Sequence, residues 1–283
     1  MNQTEQTSRV VVLLFTDIVD SVDMQQRLGT QAYTEILQQH DDLFREALDP
    51  IAGSVHYQDT GDGQLAQFKT AADGVNAALR FQRLLDLAEW PHAKPSVRIG
   101  LHQGQITEIK SSDSAPGKAV GMPINLAARI MGLARGGQIL LTRSIFDDAR
   151  QFVRDHPRIE GDAAQPEIEW KAHGNYLFKG ADEAMEVFEV GATGHAPMVA
   201  PPDSEKARRS ISLEEEATLG WRPGVGLEIP HRKNWILEKS LGAGGFGEVW
   251  LAIRRKTKAQ RVFKFCFDAE RLRSFKRELT LFR

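Results

Sequence analysis

The amino-acid sequence predicts an α+β protein in which helices pack on a mainly antiparallel sheet, followed by a smaller β-rich unit. Three observations predict it. Short apolar or alternating runs interleave with helical periodicities in the order β-α-β-β-α-β-α-β up to Leu141. A proline-bearing stretch after Val190 then loses all periodicity, and alternation resumes over residues 247–253 and 261–267.

Val10–Phe15 is fully apolar and rich in β-branched residues, as a central buried strand is, and the run stops on Asp17. Tyr33, Ile36, Leu37, Leu43, Phe44 and Leu48 recur at helical spacing, so a helix spans Thr30–Leu48, with Thr30 as its N-cap and Pro50 beyond its end. Ser54–Asp59 and Gln64–Phe68 flank "TGDG", whose Asp-Gly chemistry is that of a tight hairpin turn. A second helix covers Ala71–Ala88. Ser96–Gly100 and Gly104–Ile109 read as extended pieces, Ile124–Leu133 as a short helix ended by Gly136-Gly137, and Gln138–Leu141 as a strand. Tyr176–Phe178 and Glu186–Val190 complete the set. This order is that of a ferredoxin-like βαββαβ core. The predicted organisation is a tail over 1–8, a first domain over 9–191, a linker over 192–230 stiffened at Pro201-Pro202, and a second domain over 231–283.

Bulk properties exclude several classes. Apolar residues make up 41% and charged residues 26% of the chain, and the net charge of −2 gives no basis for nucleic-acid or anionic-membrane binding. Cys266 is the single cysteine, so no internal disulfide forms, which fits a reducing cytoplasm. No apolar stretch approaches the roughly 20 residues of a membrane span, and residues 1–9 lack the apolar segment of a secretory signal.

Two groups of residues carry chemistry. Asp17 ends the first strand and Asp62 lies in the hairpin turn between the next two, so in a ferredoxin-like sheet the carboxylates converge. Hard divalent cations take such ligands together with substrate phosphates, and Gly61 and Gly63 leave room for a phosphate at the backbone. A capping Asp17 and a simple Asp-Gly turn account for the same residues. Asn125 and Arg129, four apart, share one helix face and can reach one ligand. They suit a sugar and a transferring phosphoryl group, or merely a polar helix face with Arg129 in a surface salt bridge.

Taken together, "LLFTDIVDS", "DTGDG", "VRIGLHQGQI", "VGMPINLAARI", "GGQILLT" and "YLFKGADEAMEVFEV" resemble, in order and spacing, the catalytic domain of class III adenylate and guanylate cyclases. The resemblance runs from about Arg9 to Val190. It implies a reaction at two Mg²⁺ or Mn²⁺ ions about 4 Å apart: the ribose 3′-hydroxyl attacks the α-phosphorus and pyrophosphate leaves. Asp17, Asp62 and the backbone carbonyl of Ile18 would touch metal. Asn125 would position the ribose, Arg129 would stabilise the α-phosphate, and Lys179 would bind the terminal phosphates. The family's sites form between two subunits arranged head to tail, so the resemblance implies a homodimer with two composite sites and an inactive monomer.

Departures from the family concern the base and the polyphosphate. Gln58 and Lys118 stand where adenylate cyclases carry the lysine and aspartate that read adenine. A glutamine amide donates and accepts, whereas a lysine only donates, which suits a carbonyl oxygen better than the adenine amino group; on family frequency alone the resemblance puts ATP first, with GTP or a pyrimidine triphosphate as alternatives. Asp20 and Val22 replace a typical glycine and small hydroxyl residue; added negative charge there favours the alternative of a degenerate, nucleotide-sensing domain.

Farther on, "LGAGGFGEVWLA" carries Gly242, Gly244 and Gly247, followed by Lys264 in "RVFKFCF" and Glu278 in "FKRELTLFR". These resemble the start of a protein kinase: glycine-rich loop, strand lysine and its glutamate partner. The sequence stops at Arg283, before a catalytic loop, so the expectation is a truncated piece of a cyclase–kinase fusion without kinase activity.

Overall fold

The structure, a computed structural model, describes residues 6–58, 61–109, 118–181, 183–210, 221–230, 232–244 and 247–265. The chain divides into two units, Met1–Ser210 and Ile211–Arg283. In chain order the first carries β1 (Gln6–Ile18), α1 (Ser21–Leu28), α2 (Thr30–Leu48), β2 (Val55–Gln58), β3 (Gln64–Phe68), α3 (Ala71–Leu87), β4 (Val97–Ile109), β5 (Lys118–Val120), α4 (Met122–Leu133), β6 (Ile139–Thr142), α5 (Arg143–Ala149), β7 (Ile168–Phe178), β8 (Met185–Ala192) and β9 (Ala207–Arg209).

These strands form one sheet in the order β2-β3-β1-β4-β6-β8-β7-β9, with β5 on β4. Among the described residues only β4 and β6 pair in parallel. The spatial order β2-β3-β1-β4 is the expected ferredoxin-like core, mainly antiparallel, and the sheet is extended past β4 by β6, β8, β7 and β9. β1 needs no polar alternation because both its faces are covered. Val12, Leu14 and Ile18 join α2 and α3 in the larger core, while Val11, Leu13 and Phe15 meet Ile106 and Ala127 on the α4 side. On α2, Tyr33, Ile36, His40, Phe44, Ala47 and Leu48 form the buried stripe that its periodicity predicts.

Several expectations need correction. Thr30 is not the cap of α2: Gly29, at φ 83°, takes that place, and Thr30 is already helical. The two extended pieces over 96–109 are one continuous strand, β4. The helices α1 and α5 and the short β5, which Lys118 opens against Ile109, carry no expectation from the sequence. The segment expected as a linker from residue 192 is built into the first unit as far as Ser210. Its β9 pairs with β7 through Phe178 and Ala207.

The second unit contains a three-stranded antiparallel sheet of β10 (Trp235–Gly244), β11 (Gly247–Arg254) and β12 (Gln260–Phe265). Ile229, Trp235, Leu237, Trp250 and Ala252 form its core. Gly242 pairs with Val249, Gly244 with Gly247, and Val249 with the exposed Lys264 of β12. Glu278 lies outside the described residues. Among the described residues, no helix is long and apolar enough to cross a membrane.

Candidate active site

Asp17 occupies the penultimate position of β1, directly opposite Arg98 of β4. Its Oδ2 accepts from Nε of Arg98 at 2.8 Å and also from Nη2 of the same guanidinium. Oδ1 takes no hydrogen bond among the described residues and looks toward Gly63: a Cβ there would lie 4.0 Å from it and 2.8 Å from the Thr16 carbonyl. Burial pushes the Asp17 carboxyl above its ordinary range, Arg98 pulls it back, and the nearby Asp62 charge adds to the rise. The two aspartates are therefore within electrostatic reach of each other. Asp62 makes no hydrogen bond or ion pair among the described residues.

The hairpin that carries Asp62 is fixed from behind. The Gln64 N–H donates to Thr16 Oγ1 at 3.2 Å, and Gln64 Nε2 donates to Asp41 Oδ1 at 2.8 Å. His56 Nε2 lies 2.6 Å from Gln64 Oε1, and His40 Nδ1 lies 2.9 Å from Asp41 Oδ1. This chain ties β2 and β3 to α2. Asp20, just past the aspartate strand, is exposed and left-handed at φ 53°, ψ 36°. Glycine enters that conformation freely and aspartate is among the few other residues that tolerate it.

Asn125 and Arg129 sit on α4, which is pressed onto β4 at two glycines. A Cβ on Gly100 would lie 2.2 Å from the Met131 nitrogen, and one on Gly104 would lie 2.4 Å from Pro123 Cγ. Between them His102 Nδ1 lies 3.2 Å from Thr142 Oγ1, and burial lowers this imidazole to about 4. Asn125 is exposed. The Arg129 guanidinium turns toward the bend after β7, with Nη2 3.9 Å from where a Gly180 Cβ would stand. Its Nη1 is buried with no hydrogen-bond partner among the described residues. An unmatched buried donor on a permanent cation costs about 1–3 kcal/mol, which an anion would relieve. The exposed Lys179 precedes Gly180, and its N–H donates to the Lys206 carbonyl at 2.8 Å.

The structure thus gathers the predicted residues into two groups. Asp17 and Asp62 form one, with Ile18 buried beside them; Arg129 and Lys179 share the other, with Asn125 one turn along α4. Among the described residues, no hydrogen bond or ion pair joins the groups within the chain. The side chains of Gln58 and Lys118 lie outside the described residues; the backbones end β2 and open β5. Sequence reasoning missed Arg98. It sits in "VRIG", but its partnership with Asp17 depends on the β1–β4 register, which a single sequence does not display.

Two carboxylates fit a Mg²⁺ or Mn²⁺ ion that takes its remaining ligands from substrate phosphates and water. Asp62 and Asp17 Oδ1 are open to such a ligand, and Gly63 keeps the space beside Oδ1 clear. No cluster of three or more side-chain ligands occurs among the described residues, so this is not a closed structural metal cage.

No protein-family model matches the chain. It is 28% identical over 170 residues to the adenylate cyclase of Lachancea kluyveri, an alignment covering 53% of this chain and 9% of that protein. The chain therefore spans about a tenth of that curated relative. An adenylate cyclase of Trypanosoma brucei, solved in its monomeric state, superposes with a TM-score of 0.57 at 16% identity, covering 68% of this chain and 92% of that one. The guanylate cyclase domain of RhGC from Catenaria anguillulae, in complex with GTP, gives 0.53 at 20% identity over 66% and 98%. The fold of the first unit is that of cyclase catalytic domains.

Proposed function

We propose that the first unit is a class III nucleotide cyclase, converting a nucleoside triphosphate to the 3′,5′-cyclic nucleotide and pyrophosphate at a homodimer interface. The observation that carries this reading is the presence on one chain of two complementary groups that no hydrogen bond or ion pair joins among the described residues. One is an open carboxylate pair; the other is a helix whose arginine holds a buried, unmatched donor. A second copy placed head to tail would bring the aspartates of one chain to the helix of the other, twice over by symmetry.

In the proposed reaction, Asp17, Asp62 and the Ile18 carbonyl would hold the metal pair. When bound, the two Mg²⁺ or Mn²⁺ ions supply charge neutralisation and make the 3′-hydroxyl easier to deprotonate. Asn125 orients the ribose so that O3′ faces the α-phosphorus. As the O3′–P bond forms and the bond to the bridging oxygen of the β-phosphate breaks, Arg129 meets the charge growing on the α-phosphate. Lys179 holds the terminal phosphates that depart as pyrophosphate, and the hydroxyl proton passes to water. Arg98 pulls the Asp17 carboxyl back toward its ordinary range and fixes its Oδ2, leaving Oδ1 to face the substrate side.

ATP is the first candidate substrate. Gln58 and Lys118 support a looser reading of the base than a lysine–aspartate pair would give, so GTP or a pyrimidine triphosphate is expected as a weaker second substrate. The second unit we read as the start of a protein-kinase nucleotide lobe, a reading supported by Gly242, Gly244 and Gly247 along the β10–β11 hairpin and by Lys264 on the adjoining β12.

The test is incubation of the chain with each of the four triphosphates and Mg²⁺ or Mn²⁺, followed by chromatography of the products. Equimolar cyclic nucleotide and pyrophosphate from ATP, with a smaller yield from a second triphosphate, is the expected result. Binding of nucleotide without any cyclic product would favour the nucleotide-sensing alternative that Asp20 suggests.

A further inference from the structure

Past β8 the chain does not leave the first unit. It is strapped back across it by bonds from distant elements. Gln138 Nε2 donates to the Val199 carbonyl at 2.8 Å, and the Tyr176 hydroxyl donates to the Pro201 carbonyl at 3.1 Å. The Met198 N–H donates to Glu189 Oε1 at 2.9 Å. Within the strap, Ser204 Oγ accepts from the N–H groups of Lys206 and Ala207 at 3.2 and 3.1 Å, and Asp203 Oδ1 accepts from the Arg209 N–H at 2.8 Å. These bonds set a tight bend and deliver β9 to β7 in one register.

The consequence falls on Lys206. Ala207 is buried against Tyr176 and Phe178, so alternation turns the Lys206 side chain outward. Lys206 is exposed and makes no ion pair among the described residues, while its carbonyl is bonded to the N–H of Lys179. That backbone bond therefore sets Lys206 of the strap beside Lys179 of the turn after β7, with the Arg129 guanidinium against the adjoining Gly180. A cation held on so specific a backbone scaffold, beside one candidate phosphate ligand and close to the Arg129 turn, has a ready function.

We infer that Lys206 is a further substrate-binding residue of the nucleotide site, contacting the terminal phosphates alongside Lys179. This rests on the cyclase reading and extends it to a segment that none of the recognised motifs contains. Lys206 acts as a point charge on an anion already partly neutralised, so its removal weakens binding of the polyphosphate and leaves the reacting geometry alone.

The experiment compares the full chain with Lys206→Ala and Lys206→Arg, by calorimetric titration with inorganic tripolyphosphate and Mg²⁺ and by steady-state kinetics with ATP. Lys206→Ala should weaken tripolyphosphate binding and raise KM by about fivefold each, the scale of one charge-assisted contact at a hydrated site. The same variant should keep kcat within about twofold and the wild-type melting temperature, since only uniform binding is lost. Lys206→Arg should recover most of the loss. Lys206→Ala binding tripolyphosphate as tightly as an active wild type would overturn the assignment while leaving the cyclase intact. A wild type that neither binds tripolyphosphate nor forms cyclic product would instead remove the cyclase reading itself, and Lys206 with it.

Discussion

Asp17 and Glu189 are both carboxylates on strands of the same sheet, and they are held in opposite ways. Glu189 is fully buried, and both its oxygens are engaged: Oε2 accepts from Gln138 at 2.7 Å and lies 2.6 Å from His173 Nε2, while Oε1 accepts from Met198. Asp17 is about one-fifth exposed, with one oxygen held twice by Arg98 and the other open toward Gly63. A closed buried network contributes rigidity, since every partner would be costly to leave unpaired. A half-satisfied carboxylate at a strand end, with a second carboxylate nearby, keeps its remaining capacity for a ligand. The first kind of acid holds the strap in place, and the second is where chemistry can occur.

The largest effect should come from breaking the open acid. Asp17→Asn or Asp62→Asn is expected to lower cyclisation by at least about 100-fold under saturating Mg²⁺, because each removes a charge from the metal pair. Folding, followed by circular dichroism, should be little changed. Turnover near the wild-type rate in either variant would remove these residues from the mechanism.

The closed acid should behave in reverse. Glu189→Ala leaves the Gln138 amide, His173 and the Met198 N–H without their partner, and urea unfolding should report a loss of about 3 kcal/mol. A loss under about 0.5 kcal/mol, the range of ordinary surface substitutions, would dissolve the contrast between the two acids.

A smaller effect tests the floor beneath α4. The folded chain resists protonating His102 until pH is near 4, whereas the unfolded chain protonates it below 6.5. The folded-state value is the lower one, so this stability is fully present above pH 6.5 and is lost as pH falls toward 4. Relative to neutral pH, the loss at pH 5 should be about 2 kcal/mol. His102→Gln should flatten that part of the pH–stability curve, and an unchanged slope would mean that the imidazole is not sealed under the helix.

The periodic elements were legible in the sequence for a local reason. The stripe on α2 and the two-faced apolar run of β1 are each written in consecutive residues, and Asp62 follows from turn chemistry in the hairpin. Where the reading failed, the cause was long-range. Gly100 and Gly104 suggest breaks in β4, but their missing side chains make room for α4, which a sequence scan cannot distinguish from a turn. The stretch after residue 192 has the proline content of a linker, yet Gln138, Tyr176 and Glu189 bind its backbone from far away in sequence. Arg98 became visible only once β1 and β4 were paired.

The central claim is that the two half-sites of one chain are completed by a second copy. Mixing Asp17→Ala chains with Arg129→Ala chains tests it most directly, since each homodimer lacks one group at both sites and only the mixed dimer holds one complete site. With free subunit exchange at equal concentrations, the mixture should recover about a quarter of wild-type cyclase activity. No recovery, with exchange demonstrated independently, would contradict the composite site.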